Sequence, residues 1–198
     1  ADLGGQADAL ALAAGERSRA AAEGQVAEAH GLQKAQPRPN FLQDLGGNEL
    51  VGEPPKFAKG AVVSPCSDSV DAQLVKMERK VAAGAEYFQT QAVFEPEKFI
   101  KFMEQAKQFG KPVQVGIIIP KSAGMCKFMN NNVAGVHIPD ELIAELQADK
   151  EKTKAGITGV EIAARIIREC KPYCQGVHIM SLGWESKVPA LLEQAGLK

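Results

Sequence analysis

Short apolar runs alternate with segments in which apolar residues recur every three or four positions, from Phe57 to the end of the chain. The short runs have the length of β-strands, and the spaced segments are typical of helices that bury one face. Four strands are predicted, at Gly60–Pro65, Glu86–Phe94, Val113–Ile119 and Gly176–Leu182. Regular alternation of strand and helix indicates parallel pairing through right-handed crossovers.

The spaced segments predict the helices between these strands. Val70, Leu74, Met77 and Val81 lie on one face of a helix that Gly84 can end. Further helices are predicted from Pro96 to Phe109, from Met125 to Asn131, from Pro139, through Val160 to Ile167, and from Pro189, with Leu192 and Ala195 inward, to Gly196.

This α/β pattern fits two architectures, a barrel and a doubly wound open sheet. Neither GxGxxG nor GxxxxGK[ST] follows any of the predicted strands, so the usual nucleotide-binding signature of the open sheet is missing. We therefore favour a TIM-barrel type (β/α)8 fold of which four βα units are recognisable, over residues 57–198.

Residues 1–56 are Ala-rich and have little to anchor a core. They predict a helical or poorly ordered segment, to which we assign no role.

Charge and composition limit the partners. Lys and Arg number 23 against 24 Asp and Glu, so no net charge attracts nucleic acid or an anionic bilayer over long range. No apolar run approaches the roughly 20 residues that span a bilayer, and the first residues lack the features of a targeting peptide. We expect a cytoplasmic chain with neither nucleic acid nor a membrane as its partner.

The cysteines and histidines predict no metal site. Cysteines 66, 126, 170 and 174 contain no CxxC pair and no small disulfide framework, so reduced thiols are expected. His137 precedes a turn, and His178 lies within a strand where we expect it to satisfy a core hydrogen bond. Neither histidine joins cysteines in a tetrahedral zinc set.

Two glutamines near the end of the second strand are the strongest candidates for chemistry. Ligands of parallel α/β folds gather at the carboxyl ends of the strands. Gln89 and Gln91 are two apart and share a face, where a barrel interior usually has Val, Ile or Leu. Such amides can simply bond to neighbouring side chains or water, but the strand-end position of Gln91 favours ligand contact.

Three segments carry a resemblance to a known family. The sequence from Lys80 to Gln91, K-V-A-A-G-A-E-Y-F-Q-T-Q, continues through Val93-Phe94-Glu95 and resembles K-V-x-A-G-A-x-x-x-x-T-Q-x-x-F-[DE] of the methylenetetrahydrofolate reductases. Gly116–Pro120 is similar to the family's P-G-I-x-P strand, and Gly176-Val-His178 with Leu182 resembles its last barrel strand, G-x-H-x-x-x-L. The match runs in register from about Phe57 to Leu197, the C-terminal half of the family's barrel.

The resemblance implies a flavoprotein oxidoreductase of one-carbon metabolism and methionine biosynthesis. Its reaction reduces 5,10-methylenetetrahydrofolate to 5-methyltetrahydrofolate, with FAD or FMN as cofactor and NADH or NADPH as reductant. It implies that Gln91 contacts the pterin of the folate, and that Arg79 and Lys80 lie near the flavin phosphate. It further implies that Gln73 and Lys76 approach the flavin ribityl chain.

The chain also departs from the family pattern. The L-N-R ending of the last strand is Leu182-Gly183-Trp184 here, and the catalytic groups of the family's first four strands have no match. An alternative is therefore a truncated, non-catalytic homologue or fragment. It would act as a structural subunit in a homo-oligomer or hetero-complex that completes the barrel, because a half barrel exposes two strand edges.

Overall fold

The computed structural model of the chain describes residues 58–198, so the predicted N-terminal segment 1–56 lies outside the described residues. Four strands form one parallel sheet: β1 (Gly60–Val63), β2 (Tyr87–Ala92), β3 (Val113–Ile118) and β4 (Gly176–Met180). They lie in chain order and each pairs with the next. A doubly wound sheet would reverse its strand order part-way, so this order is that of a barrel wall. The expected α/β fold with four βα units is confirmed.

The helices lie between and after the strands. They are α1 (Val70–Ala82), α2 (Pro96–Ala106), α3 (Ala123–Asn132), α4 (Asp140–Ala148), α5 (Lys150–Lys154), α6 (Ile157–Cys170) and α7 (Val188–Gln194). Single 3₁₀ turns occupy Lys107–Phe109, Lys171–Tyr173 and Glu185–Lys187.

Local sequence explains where α1 begins and ends. The Ser69 hydroxyl accepts a hydrogen bond from the backbone N–H of Ala72 at 3.3 Å, which satisfies one of the free donors of the first turn. Leu74 and Met77 are buried, as the periodicity predicts. Gly84 then adopts a φ of +99°, a conformation that glycine reaches without steric cost and that turns the chain towards β2.

The hydrophobic core lies between the sheet and the helices. Phe88 of β2, Ile117 of β3 and Phe99 and Phe102 of α2 are almost completely shielded from solvent. In α7 the fully buried leucine is Leu191 rather than the expected Leu192, while Ala195 is buried as expected.

The opposite side of the sheet, which we call the inner face, is polar and half open. Because strand residues alternate between faces and partners in register share a face, this side carries Val62, Tyr87, Gln89, Gln91, Gln114, Gly116, Ile118, His178 and Met180. Val62 is 40% exposed, and every residue of β4 is only partly buried. β1 and β4 are the two edge strands of the sheet.

Candidate functional site

The carboxyl ends of the four strands meet at one edge of the sheet, as parallel pairing requires. Ser64 follows β1, Gln91 lies near the end of β2, Lys121 comes shortly after β3 and Ser181 follows β4. This carboxyl edge is where the strand-to-helix junctions place their polar side chains.

Gln91 and Gln89 share the inner face, as expected, but their side chains differ in their partners. The Gln89 amide donates to the Gln114 side-chain oxygen at 3.0 Å, across the β2–β3 pair. Among residues 58–198 the half-buried Gln91 amide has no hydrogen-bond partner. Since an amide can both donate and accept, Gln91 retains its full capacity to bind a polar heterocycle.

The loop between α3 and α4 forms a wall beside Gln91. Gly135 in this loop has a φ of +78°, and a β-carbon built there would lie 3.6 Å from the Ser64 hydroxyl and 4.0 Å from Cγ of Gln91. The loop is held in place by Asn130, whose side chain donates to the Ile138 carbonyl and accepts from the Ile138 N–H, at 2.9 and 2.7 Å. Gln91 is therefore flanked by Ser64 on one side and by a fixed loop on another.

Glu95 links the same loop to the end of β2. Its carboxylate contacts Nδ1 of His137 at 3.0 Å and Nζ of Lys98 at 2.9 Å. The hydrogen bond to Glu95 raises the pKa of Lys98. His137 thus ties the loop between α3 and α4 to the end of β2.

A second loop closes the carboxyl edge beyond β4. The Lys121 ammonium lies 5.3 Å from the centre of the Trp184 ring and donates to the Leu182 carbonyl. Leu182 itself has a φ of +51°, which is strained for a branched side chain, and it is 52% exposed. The Glu185 carboxylate accepts from the Ser181 hydroxyl at 2.7 Å, and this bond lowers the pKa of Glu185.

The four residues assigned to the flavin share one side of α1. At about 100° per residue, Gln73, Lys76, Arg79 and Lys80 fall within about 120° of one another around the helix. Lys76 and Arg79 are exposed, whereas Lys80 is only 8% exposed. The structure thus brings the four side chains together on one helical stripe.

Two of these four residues bond to the chain at β1. The Lys80 ammonium donates to the Val62 carbonyl at 2.6 Å, and the Gln73 side-chain oxygen accepts from the Ser64 N–H at 3.4 Å. Backbone groups of an edge strand need partners, so Lys80 and Gln73 contribute to holding β1 in place.

The thiols near the site are buried and protonated at neutral pH. Burial raises the pKa of Cys66 to about 12, with the nearby Glu95 carboxylate adding to the effect. Burial also raises the pKa of Cys126 to about 11 and shifts Cys170 and Cys174 in the same direction. All four cysteines are free thiols, and none has the lowered pKa of a nucleophile.

His178 differs from its expected role in the core. It lies on the inner face opposite Gly116, and its imidazole makes no hydrogen bond within residues 58–198. No cluster of three or more metal-ligating side chains occurs in the part of the chain that the structure describes. No helix within that part is long and apolar enough to cross a membrane.

A cleft of about 550 Å³ lies away from Gln91, on the outer helical layer. Its lining includes Glu95, His137, Asp140, Arg165 and Glu169, so it is rich in carboxylates. It shares with the carboxyl edge only the residues that follow β2, and it does not include Gln91.

The family model for methylenetetrahydrofolate reductase matches residues 56–196, which include all four strands and the Gln91 edge. The chain belongs to the methylenetetrahydrofolate reductase family. This confirms the resemblance over the C-terminal barrel segment.

One curated relative and one solved structure of similar fold show how much of each protein this family member covers. Methylenetetrahydrofolate reductase 2 of Schizosaccharomyces pombe (strain 972 / ATCC 24843) is 30% identical, over 60% of this chain and 20% of that protein. An uncharacterized protein from Clostridium thermocellum that binds two copies of 5-methyl-5,6,7,8-tetrahydrofolic acid superposes with a TM-score of 0.52 at 20% identity. That match covers 69% of this chain and 51% of the other, and it shows the fold. The chain therefore spans about a fifth of the Schizosaccharomyces pombe protein and about half of the Clostridium thermocellum protein.

The sequence singled out Gln91 but missed the residues that surround and hold it. Ser64, Thr90, Gly116 and Gly135 are brought to Gln91 by strand pairing and by the α3–α4 loop. The available signals were a threonine on the buried face of β2 and a glycine in the interior of β3.

Proposed function

We propose that this chain takes part in the flavin-dependent reduction of 5,10-methylenetetrahydrofolate to 5-methyltetrahydrofolate, with NAD(P)H as reductant. Membership of the methylenetetrahydrofolate reductase family supports an oxidoreductase of folate metabolism. A folate bound by the Clostridium thermocellum protein of the same fold supports the substrate class. The residue-level observation that carries the proposal is the Gln91 amide at the carboxyl edge, which has no hydrogen-bond partner within residues 58–198.

Gln91 is the substrate-binding residue of this proposal. A pterin presents donors and acceptors side by side along its edge, and a side-chain amide offers both in the same plane. The neighbouring Gln89 uses one of its amide hydrogens to bond Gln114, whereas within residues 58–198 the Gln91 amide makes no hydrogen bond. Ser64 and the loop between α3 and α4 narrow the space beside the Gln91 amide.

The stripe on α1 fits the anionic part of a flavin. The exposed Arg79 cation and the Lys80 ammonium beside it on α1 suit the flavin phosphate, which they would hold by charge-assisted bonds. Lys80 also donates to the Val62 carbonyl, and Lys76 and Gln73 lie on the same stripe, where we place the ribityl chain. A bound flavin, FAD or FMN, would carry the hydride from the nicotinamide to the one-carbon unit. NADH and NADPH fit this proposal equally.

The substitution Gln91→Ala tests the proposal. We expect it to weaken the binding of 5-methyltetrahydrofolate about tenfold, because a ligand hydrogen bond is lost, and to leave flavin affinity within about twofold. Isothermal titration calorimetry with each compound measures both constants. Gln105→Ala, at an exposed glutamine of α2, is the matched control and should change neither. Unchanged folate affinity in Gln91→Ala, or an equal loss for both compounds, would count against this role.

A second candidate is a non-catalytic homologue or fragment that acts as a structural subunit. The observation that favours it is the half-open inner face between two edge strands, β1 and β4. A second copy or a different chain that supplies four parallel strands would pair with both edges and cover that face. The partner is then a homo-oligomer or a hetero-complex.

Two measurements separate the candidates. Visible absorbance in the flavin band after purification, or after reconstitution with FAD or FMN, supports the enzyme. A colourless chain that takes up neither cofactor supports the structural subunit. Its mass by light scattering then shows whether two copies associate. In both cases we propose a cytoplasmic location and a small-molecule folate, rather than nucleic acid or a bilayer, as the ligand.

A further inference from the structure

We infer that Thr90 is a positioning residue that fixes where Gln91 presents its amide. The inference rests on the proposed role of Gln91 in folate binding. Thr90 itself points to the buried face of β2 and is 3% exposed, so its side chain acts through the backbone rather than on a ligand.

The register of the sheet changes at Thr90. Gln89 pairs with Gln114, and the next pair towards the carboxyl edge is Ala92 with Gly116. Between these pairs β2 therefore contains one residue more than β3, which is the geometry of a β-bulge. Bulges redirect side chains and are frequent beside functional sites.

The Thr90 hydroxyl bridges the two strands within this bulge. It accepts a hydrogen bond from the Gly116 N–H at 2.8 Å and donates one to the Gln91 carbonyl at 2.7 Å. The Thr90 side-chain oxygen thus accepts the Gly116 N–H of β3, which a backbone carbonyl would accept in a regular sheet. At the same time it holds the peptide unit of Gln91.

Gly116 of β3 allows this close contact with Thr90 because it has no side chain. A β-carbon at residue 116 would lie 2.4 Å from the Thr90 carbonyl oxygen and 3.0 Å from that of Gln91, both of which are backbone atoms. Only a residue without a side chain lets β3 pass the bulge at this distance.

Gln91 depends on this backbone contact for its position. Its amide has no hydrogen-bond partner among the described residues, whereas the Gln89 amide is held by Gln114. The direction of the Gln91 side chain is therefore set mainly by the backbone from which it projects. Losing the Thr90 bridge would release that backbone and misplace the amide relative to a bound pterin.

A double-mutant cycle tests the inference with 5-methyltetrahydrofolate as the ligand. Thr90→Val removes the hydroxyl at nearly constant volume, and Thr90→Ser keeps it. Each is made in the parent chain and in Gln91→Ala, and affinity is measured by calorimetry. We expect Thr90→Val to weaken binding about tenfold and Thr90→Ser to stay within about threefold of the parent. In the Gln91→Ala background, Thr90→Val should cause no further loss.

Thr153→Val is the matched control. Thr153 is equally buried, and its hydroxyl bonds to the Leu146 carbonyl and to Thr158, in the helical layer. We expect it to lower the urea midpoint as Thr90→Val does while leaving folate affinity unchanged. If Thr90→Val does not fold, Thr90→Cys keeps a weaker donor and acceptor and should give an intermediate loss of affinity.

Two outcomes would overturn the inference, and they differ. Equal losses from Thr90→Val with and without Gln91 would mean that Thr90 acts on the fold alone, while the role of Gln91 stands. No loss in Gln91→Ala itself would remove the proposed role of Gln91 and this inference with it.

Discussion

A side chain at residue 116 would collide with the backbone of β2, so Gly116→Ala is expected to be costly. The new β-carbon would approach two carbonyl oxygens that cannot rotate away, and the strands would have to separate. We expect the free energy of unfolding to fall by about 1–3 kcal/mol, the usual cost of overpacking. Urea denaturation followed by circular dichroism measures it.

Gly124→Ala is the control for this prediction. Gly124 lies in α3, where a β-carbon would meet only the Ser122 hydroxyl, at an ordinary 3.8 Å. Because alanine favours a helix over glycine by up to about 1 kcal/mol, this variant should match or exceed the stability of the parent. If both variants lose a similar free energy of unfolding, the close approach of β2 and β3 at Gly116 is not the cause of the loss in Gly116→Ala.

Sequence alone placed Gln89 and Gln91 on one face and favoured Gln91 for its strand-end position, but it could not show that the Gln89 amide is bonded within the sheet. Period-two alternation is a local property, and it predicted the shared face correctly. The difference between the two amides arises from Gln114, which is 25 residues away from Gln89 in the chain and reaches it only through the β2–β3 register. Thr90 escaped notice for the same reason, because its partner Gly116 is 26 residues away.

At the scale of the element, α1 both packs against β1 and carries the residues proposed to contact the flavin. Substitutions at Lys80 and Lys76 should separate these two roles. Lys80→Met leaves the Val62 carbonyl without a charged donor, so we expect it to lower the free energy of unfolding by about 1–3 kcal/mol. Lys76→Met changes an exposed position of the same helix and should stay within about 0.5 kcal/mol of the parent. Chemical denaturation of both variants provides the comparison.

Flavin titration of the same pair addresses the proposed cofactor role. Lys76→Met should weaken flavin binding without a change in stability, because it removes a cation and no internal contact. If Lys76→Met binds flavin as tightly as the parent does, the proposed contact of Lys76 with the flavin ribityl chain is wrong, whatever the stability of Lys80→Met.

Strands and helices whose apolar residues recur at a regular spacing were predicted from the sequence. Helix α5, which has no such spacing, was missed. All four strands and α1, α2 and α6 follow their apolar patterns. Helix α5 is Lys-Glu-Lys-Thr-Lys, which has no apolar stripe. It is stabilised by the Asp149 carboxylate, which accepts from the Lys152 N–H at 2.9 Å. The predicted strands ran too far at their carboxyl ends because Pro65, Pro120 and the left-handed Leu182 stop the ladder.

For the whole molecule, the open edges predict uneven protection from hydrogen exchange. Among the strands of residues 58–198, β2 and β3 have a neighbour on both sides, whereas β1 and β4 each have one. Amides of β1 and β4 should therefore exchange on the order of tenfold faster than those of β2 and β3, measured on peptides by mass spectrometry.

Addition of a chain that completes the barrel should slow exchange at β1 and β4 and leave β2 and β3 nearly unchanged. Uniform protection across all four strands of the isolated chain would contradict the picture of two open edges.

Three buried thiols and one half-buried thiol, Cys174, make the chain well suited to site-specific labelling. At neutral pH their protonated sulfurs are poor targets for maleimide reagents, so a cysteine introduced at an exposed residue such as Ser186 would react first. Spectroscopic probes could then be attached without removing any native cysteine. Paired labels near β1 and β4 would report the span of the open sheet directly, as a distance.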